Sequence, residues 1–118
     1  LLAFIVLCYP HAFASDPIIF VKYKYFKQAL LFKVGSVMDS DAHHIIGTNG
    51  VPMENTSPIK IGNHVWIAAN CMILKGAVIS DNCVVGACSL VTKGKFSENQ
   101  IIVGSPAKCI KSIDGWVL

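Results

Sequence analysis

Arginine is absent from this chain and charge of either sign is sparse, with ten lysines against seven acidic residues and only 14% of positions charged. So thin a charged coat on a chain that is 53% hydrophobic argues against a bare monomer, and part of the outer surface is expected to be covered by identical subunits. A stable membrane span is not expected either, because the apolar start at residues 1–9 falls well short of the roughly 20 residues that a spanning helix needs. That start, followed by Ala12-Phe13-Ala14, looks like part of a secretory signal, but a basic leader and an initiator methionine are both missing. It is read as the edge of a longer sequence. The five cysteines, at 8, 71, 83, 88 and 109, form no Cys-x-x-Cys pair and no other ligand spacing, so no metal is expected. Cys71 and Cys83 read as reduced thiols packed like small hydrophobes, which favours a cytoplasmic protein. A length of 118 residues leaves room for one core.

What is present is a period of six. Ile61, Ile67, Ile73, Ile79, Val85 and Val91 recur at every sixth position, and Val65, Cys71, Ala77, Cys83 and Ser89 stand four places after the first five of them. A helix repeats near 3.6 and a strand at 2, so neither accounts for this spacing. Three hexads can close one triangular coil of a parallel β-helix, and successive coils then stack through main-chain hydrogen bonds. Residues eighteen apart should lie one above another at about 4.8 Å: Ile61 on Ile79, Ile67 on Val85, Ile73 on Val91.

The rest of the chain is organised around this repeat. Residues 1–37 lack the period and are read as an irregular N-terminal segment covering one end of the stack; within it, residues 20–32 fit a short helix or an irregular strand. Residues 38–58 read as a protruding loop, with ionisable Asp39, Asp41, His43 and His44 followed by turn chemistry in Gly47-Thr48-Asn49-Gly50, Pro52 and Pro58. A polar excursion on a rigid scaffold is a usual place for chemistry. The coils occupy residues 59–107, one full turn over 61–78 and a second from 79 to about 96, and residues 101–108 form a further extended segment. Residues 108–118 are a tail, helical or extended. Two coils bury too little surface to stand alone, so the repeat must lean on the residues before it or on neighbouring subunits. The fold class expected is all-β.

The lysines at 93, 95, 108 and 111 make the basic character local to the C-terminal quarter. A solvated face, nucleic acid, an anionic membrane or a phosphorylated cofactor would all suit such a patch on charge alone.

The run Ile61-Gly62-Asn63-His64-Val65-Trp66-Ile67, with Ile73-Leu74-Lys75-Gly76, Val85-Gly86-Ala87, Val91-Thr92-Lys93 and Gly104-Ser105-Pro106-Ala107-Lys108, resembles the C-terminal part of the hexapeptide-repeat O-acetyltransferases. Capsule and O-antigen sugar acetyltransferases are the nearest in kind, with galactoside and maltose acetyltransferases as relatives. The resemblance implies a left-handed parallel β-helix, a homotrimer with sites between subunits, acetyl-CoA as donor and a sugar hydroxyl as acceptor, with no nucleic-acid partner. It makes His43 the general base, since an imidazole near neutral pKa suits a hydroxyl that must lose its proton as it attacks a thioester. His44 is the fallback. Asp41 would orient His43, contact the acceptor, or serve only as a turn residue. For the donor, Ala69, Ala87, Thr92 and Lys93 match positions lining the cofactor groove, and Lys108 and Lys111 match positions that meet its phosphates as point charges; packing alone would also account for the two alanines. Ala68 and Ser80 stand where the family usually has glycine, and Gly94 where an acidic residue is common. A truncated β-helix that serves only for assembly is the alternative. Less favoured are a serine O-acetyltransferase-like enzyme and a carbonic anhydrase, for which His43, His44 and His64 lack the close pair along a coil.

Overall fold

The computed structural model describes residues 30–31 and 36–117. The apolar start, Cys8 and most of residues 20–32 lie outside the described residues. Every regular element within them is a strand: β1 (Leu30–Leu31), β2 (Ser36–Met38), β3 (Lys60–Ile61), β4 (Trp66–Ile67), β5 (Met72–Leu74), β6 (Ala77–Ile79), β7 (Val84–Val85), β8 (Leu90–Val91), β9 (Gly94–Phe96), β10 (Gln100–Gly104) and β11 (Ala107–Ser112).

These strands make three walls of a prism. One sheet runs β1-β4-β7-β10-β11, a second β2-β5-β8 and a third β3-β6-β9. All pairings are parallel except β10 with β11. The register is the eighteen-residue one: Ile61 faces Ile79, Ile67 faces Val85 and Ile73 faces Val91. The aliphatic column points inward. Ile67, Ile73, Val85 and Val91 are fully buried, and so are Val65, Cys71, Ala77 and Cys83 in the small slot, with Ser89 at 2% exposure. The hydroxyl of Ser89 is satisfied there by donating to the Gly86 carbonyl at 2.6 Å, as burial of a polar group requires.

Two departures from strict periodicity stand out. The wall continues before the loop, because Val37 lies opposite Ile73 and Leu31 opposite Ile67. These partners are 36 positions apart, so the loop interrupts the coil without ending it. Further on, Ala77 pairs with Gly94 and Ile79 with Phe96, a separation of 17, so the third coil is one residue short at the turn after β8. Phe96 takes the column position there and packs on the core.

Five successive turns between walls hold a residue in the left-handed region, again at sixfold spacing: His64 (φ 53°), Asn70 (58°), Gly76 (78°), Asn82 (59°) and Cys88 (60°), and Asn99 (60°) follows the shortened turn. Asparagine and glycine suit this conformation because the Cβ clash is small or absent. Tight stacking also demands glycine at Gly62, where a Cβ would come within 2.8 Å of the Asp81 backbone nitrogen and 2.9 Å of the Ser80 carbonyl carbon.

The tail returns antiparallel along β10 as β11 and then runs back down one edge of the first wall, past Asn99 and Asn82 to His64. Its Trp116 stacks on His64 with ring centroids 4.1 Å apart. The two residues also exchange hydrogen bonds, His64 Nε2 donating to the Trp116 carbonyl and Trp116 Nε1 to the His64 carbonyl, each at 2.9 Å. His64 is therefore a structural residue of this turn.

Ile73→Ala should cost about 2–5 kcal/mol, the usual range for emptying a fully buried aliphatic site, while Lys95→Ala on the exposed side of β9 should stay within about 0.5 kcal/mol. Urea unfolding of the two variants checks this, and equal losses would contradict the inward register. Burial is also the main reason that the Cys71 and Cys83 thiols sit above their ordinary 9.0. The unfolded chain therefore gives up these protons first as pH rises past that value, and stability should fall on the alkaline side. At neutral pH a thiol reagent should modify exposed Cys88 and Cys109 and reach Cys71 and Cys83 only after unfolding; mass spectrometry of the labelled protein reads this directly.

Candidate active site

Residues 39–58 leave the coil between the second and third walls and return to the same edge. Two polar limbs can leave a prism only if their backbone groups find partners, and here they find each other. Ser40 bridges Thr56 and Ile46 bridges Pro52. The Asp41 N–H donates to the Asn55 carbonyl at 2.8 Å, Ser57 to Asp39 at 2.9 Å and Met53 to Ile45 at 2.7 Å, with the tip closed by Gly50 to Gly47 at 2.9 Å.

His43 sits on the outgoing limb, exposed, directly after Ala42 at φ 65°. A left-handed alanine is a strained conformation. It turns the chain sharply, and the His43 N–H is captured by the Asp41 carbonyl at 2.7 Å. Among the described residues the His43 ring has no hydrogen-bond partner. His44 differs: its Nδ1 lies 2.8 Å from the Met53 carbonyl. A carbonyl only accepts, so Nδ1 carries a proton, and in the neutral tautomer this selects the lone pair falls on Nε2.

Among the described residues no hydrogen bond joins the Asp41 carboxylate to the His43 ring. That carboxylate is paired with Lys75 Nζ at 2.5 Å, and the same ammonium donates to the Glu54 carbonyl at 2.9 Å. Glu54 in turn orders the returning limb, its Oε1 accepting from Asn55 N at 3.0 Å, Thr56 N at 3.1 Å and Thr56 Oγ1 at 3.0 Å. Those bonds, led by the Thr56 backbone N–H, hold the Glu54 carboxyl below its ordinary 4.5. Neither Lys75 nor Glu54 stands out in the sequence, because the contacts that give them a role are made across the loop.

The remaining sequence-predicted residues fall on three places. Thr92 and Lys93 lie on the same edge as the loop, with Lys93 one coil beyond Lys75, and the edge is a backbone ladder in which Gly76 N–H donates to Ser57 and Gly94 N–H to Gly76, each at 3.3 Å. The Lys93 stem lies over Gly76, where a Cβ would approach its Cγ to 2.9 Å. Ala69 and Ala87 stack on the opposite edge of the same wall, tied by Cys88 N–H to the Ala69 carbonyl at 3.0 Å. Between these edges runs the β2-β5-β8 wall, with Met72 42% exposed on its outside. Lys108 and Lys111 are apart from this wall, exposed on β11 opposite Val103 and Ile101 at the far end of the stack. Ile45, Ile46, Val51 and Met53 leave the loop itself with an apolar, exposed surface.

The family described as bacterial transferase hexapeptide (six repeats) matches residues 58–93, the stretch that builds two successive coils. Over those residues the chain carries the hexapeptide repeat of that family. Its relatives include the galactoside O-acetyltransferase of Escherichia coli (strain K12), 39% identical over 79 residues that make up 67% of this chain and 37% of that protein. Among solved structures, a maltose O-acetyltransferase from Clostridium difficile 630 superposes with a TM-score of 0.60 at 35% identity, over 73% of this chain and 46% of that one. A galactoside acetyltransferase in complex with coenzyme A does so with a TM-score of 0.60 at 32% identity, over 73% and 42%. The hexapeptide coil is thus a left-handed parallel β-helix, as the resemblance implied. The chain spans under half the length of these relatives.

Because a lowered carboxyl pKa reflects hydrogen bonds that need the charged form, the ordering of the returning limb by Glu54 should persist above its titration and be lost as pH falls through it. The Thr56 amide proton, followed by NMR, should titrate with a midpoint below 4.5; a midpoint at or above that value would mean the carboxylate is not holding the limb.

Proposed function

We propose that this chain is part of an acetyl-CoA-dependent O-acetyltransferase that moves an acetyl group to a hydroxyl of a sugar or polysaccharide precursor, with His43 as general base. The observation that carries this reading is an imidazole loop standing on one edge of a hexapeptide wall whose two edges hold Thr92, Lys93, Ala69 and Ala87. The named chemistry of the relatives, galactoside and maltose O-acetyl transfer and coenzyme A binding, supports the donor and the acceptor class.

In this reaction a hydroxyl oxygen attacks the thioester carbonyl while the imidazole takes its proton. The carbonyl oxygen gains charge in the tetrahedral species, which backbone N–H donors would stabilise, and collapse expels the CoA thiolate, which recovers the proton. Attack is direct, without an acyl-enzyme. The buried Cys71 and Cys83 thiols point into the core and are pushed away from the thiolate form a nucleophile needs. Small side chains at Ala69 and Ala87 would let a pantetheine arm lie close to the coil. Lys93, Lys108 and Lys111, all exposed, would supply positive charge to the cofactor phosphates.

A homotrimer accounts for the apolar loop surface and for exposed Met72 on the wall between the two edges, since a neighbouring copy laid against that wall would cover both and complete the groove. The free thiols favour the cytoplasm.

One observation favours a second reading of the base. The Nδ1–H bond of His44 to Met53 leaves its Nε2 oriented as an acceptor, an arrangement His43 lacks among the described residues. Thiol release from acetyl-CoA with a panel of sugars, measured for the intact protein, separates the two. His43→Ala should lower turnover by a factor of about 10² to 10⁴ and leave CoA affinity intact. A loss of that size in His44→Ala with His43→Ala near wild type would transfer the role, and sugar-independent silence of the wild type would remove the transferase reading.

A further inference from the structure

We infer that Lys75 is a positioning residue for the loop imidazole, a single ammonium that fastens both limbs of the loop to the coil and so fixes where His43 stands; this rests on the reading of His43 as the base. Lys75 follows β5 at the edge from which the loop emerges. Its Nζ meets the Asp41 carboxylate on the outgoing limb at 2.5 Å and the Glu54 carbonyl on the returning limb at 2.9 Å.

Asp41 is thereby held at three points. Its N–H is bound to Asn55, its carbonyl receives the His43 N–H, and its carboxylate is bound to Lys75. Only the third of these ties the loop to the scaffold. The other two join one part of the loop to another and would travel with it. The intervening Ala42 is strained at φ 65°, and a strained residue keeps its conformation only where its surroundings over-determine it.

The side chains of Lys75 and Asp41 are 27% and 40% exposed. An ion pair so wet adds little to global stability. It can still matter to catalysis, because displacing a reacting group by about 1 Å can cost up to about a hundredfold in rate. Lys75 is accordingly expected to affect turnover far more than folding.

The test uses the intact protein and four variants: Lys75→Met, Lys75→Arg, His43→Ala and the Lys75→Met/His43→Ala double variant. Lys75→Met should lower kcat by about tenfold to a hundredfold with the KM for acetyl-CoA unchanged and the melting temperature near wild type. Lys75→Arg, which keeps the charge and the reach, should recover most of the loss. In the His43→Ala background the Lys75→Met change should remove nothing further, because a residue that acts through another has no effect once that other is gone. Amide exchange at Asp41 and His43 gives a readout that does not need activity, and it should speed up in Lys75→Met and return in Lys75→Arg. Wild-type kcat in Lys75→Met, or the same fractional loss with and without His43, would overturn the inference while leaving the transferase reading standing. An inactive wild type would instead overturn that reading, and unchanged exchange in Lys75→Met would then overturn the clamp as well.

Discussion

Stacking of residues eighteen apart is the constraint on which the rest of this molecule depends. Each rung fixes the next through parallel main-chain bonds, and a shift of one position would turn Ile61, Ile67 and Ile73 from the interior to water. Because the interior slots alternate a branched aliphatic with a small side chain, three walls can close around a dry core without a helix or a wide loop. The left-handed turn residues follow from the same geometry. A coil that closes in three straight segments must bend sharply three times, and asparagine or glycine makes most of those bends.

The scaffold also explains where chemistry can be carried. The column positions of a hexapeptide wall pack inward, so only its outer face and its edges are left for protruding groups such as Met72 and Lys95. A loop inserted at one edge can therefore carry ionisable side chains without disturbing the core, provided its limbs satisfy one another and something ties them down. In this chain the first condition is met by backbone bonds between the limbs and the second by the ammonium of Lys75. The tail solves a similar problem on another edge, where Trp116 closes over His64 and Asn82 Nδ2 donates to the Asp114 carbonyl at 3.0 Å.

The coil was legible in the sequence because its contacts recur at a fixed interval, so that Ile61 to Val91 announce both their period and their partners. The rung at Val37 was hidden by the loop, which doubles its separation from Ile73 and erases the period there. The short turn before Gly94 ends the period in another way: one missing residue moves the column position from Ser97 to Phe96, so the repeat reads as stopping at Val91. At the site, the two histidines were visible as an ionisable pair in a polar loop. What was not visible was that the His44 ring is engaged by Met53, that the Asp41 carboxylate pairs with Lys75, and that Glu54 braces the returning limb. Each of these is a contact between positions whose spacing carries no period, and only the folded loop brings them together.

The account stands or falls on whether this coil is a cofactor-binding transferase or a bare structural stack. Isothermal titration of the intact protein with CoA decides most directly. One CoA bound per chain, with an affinity that falls as salt is added because lysines meet the phosphates, is the result the account predicts; the absence of binding heat at any salt concentration, from protein that is folded and assembled, would contradict it.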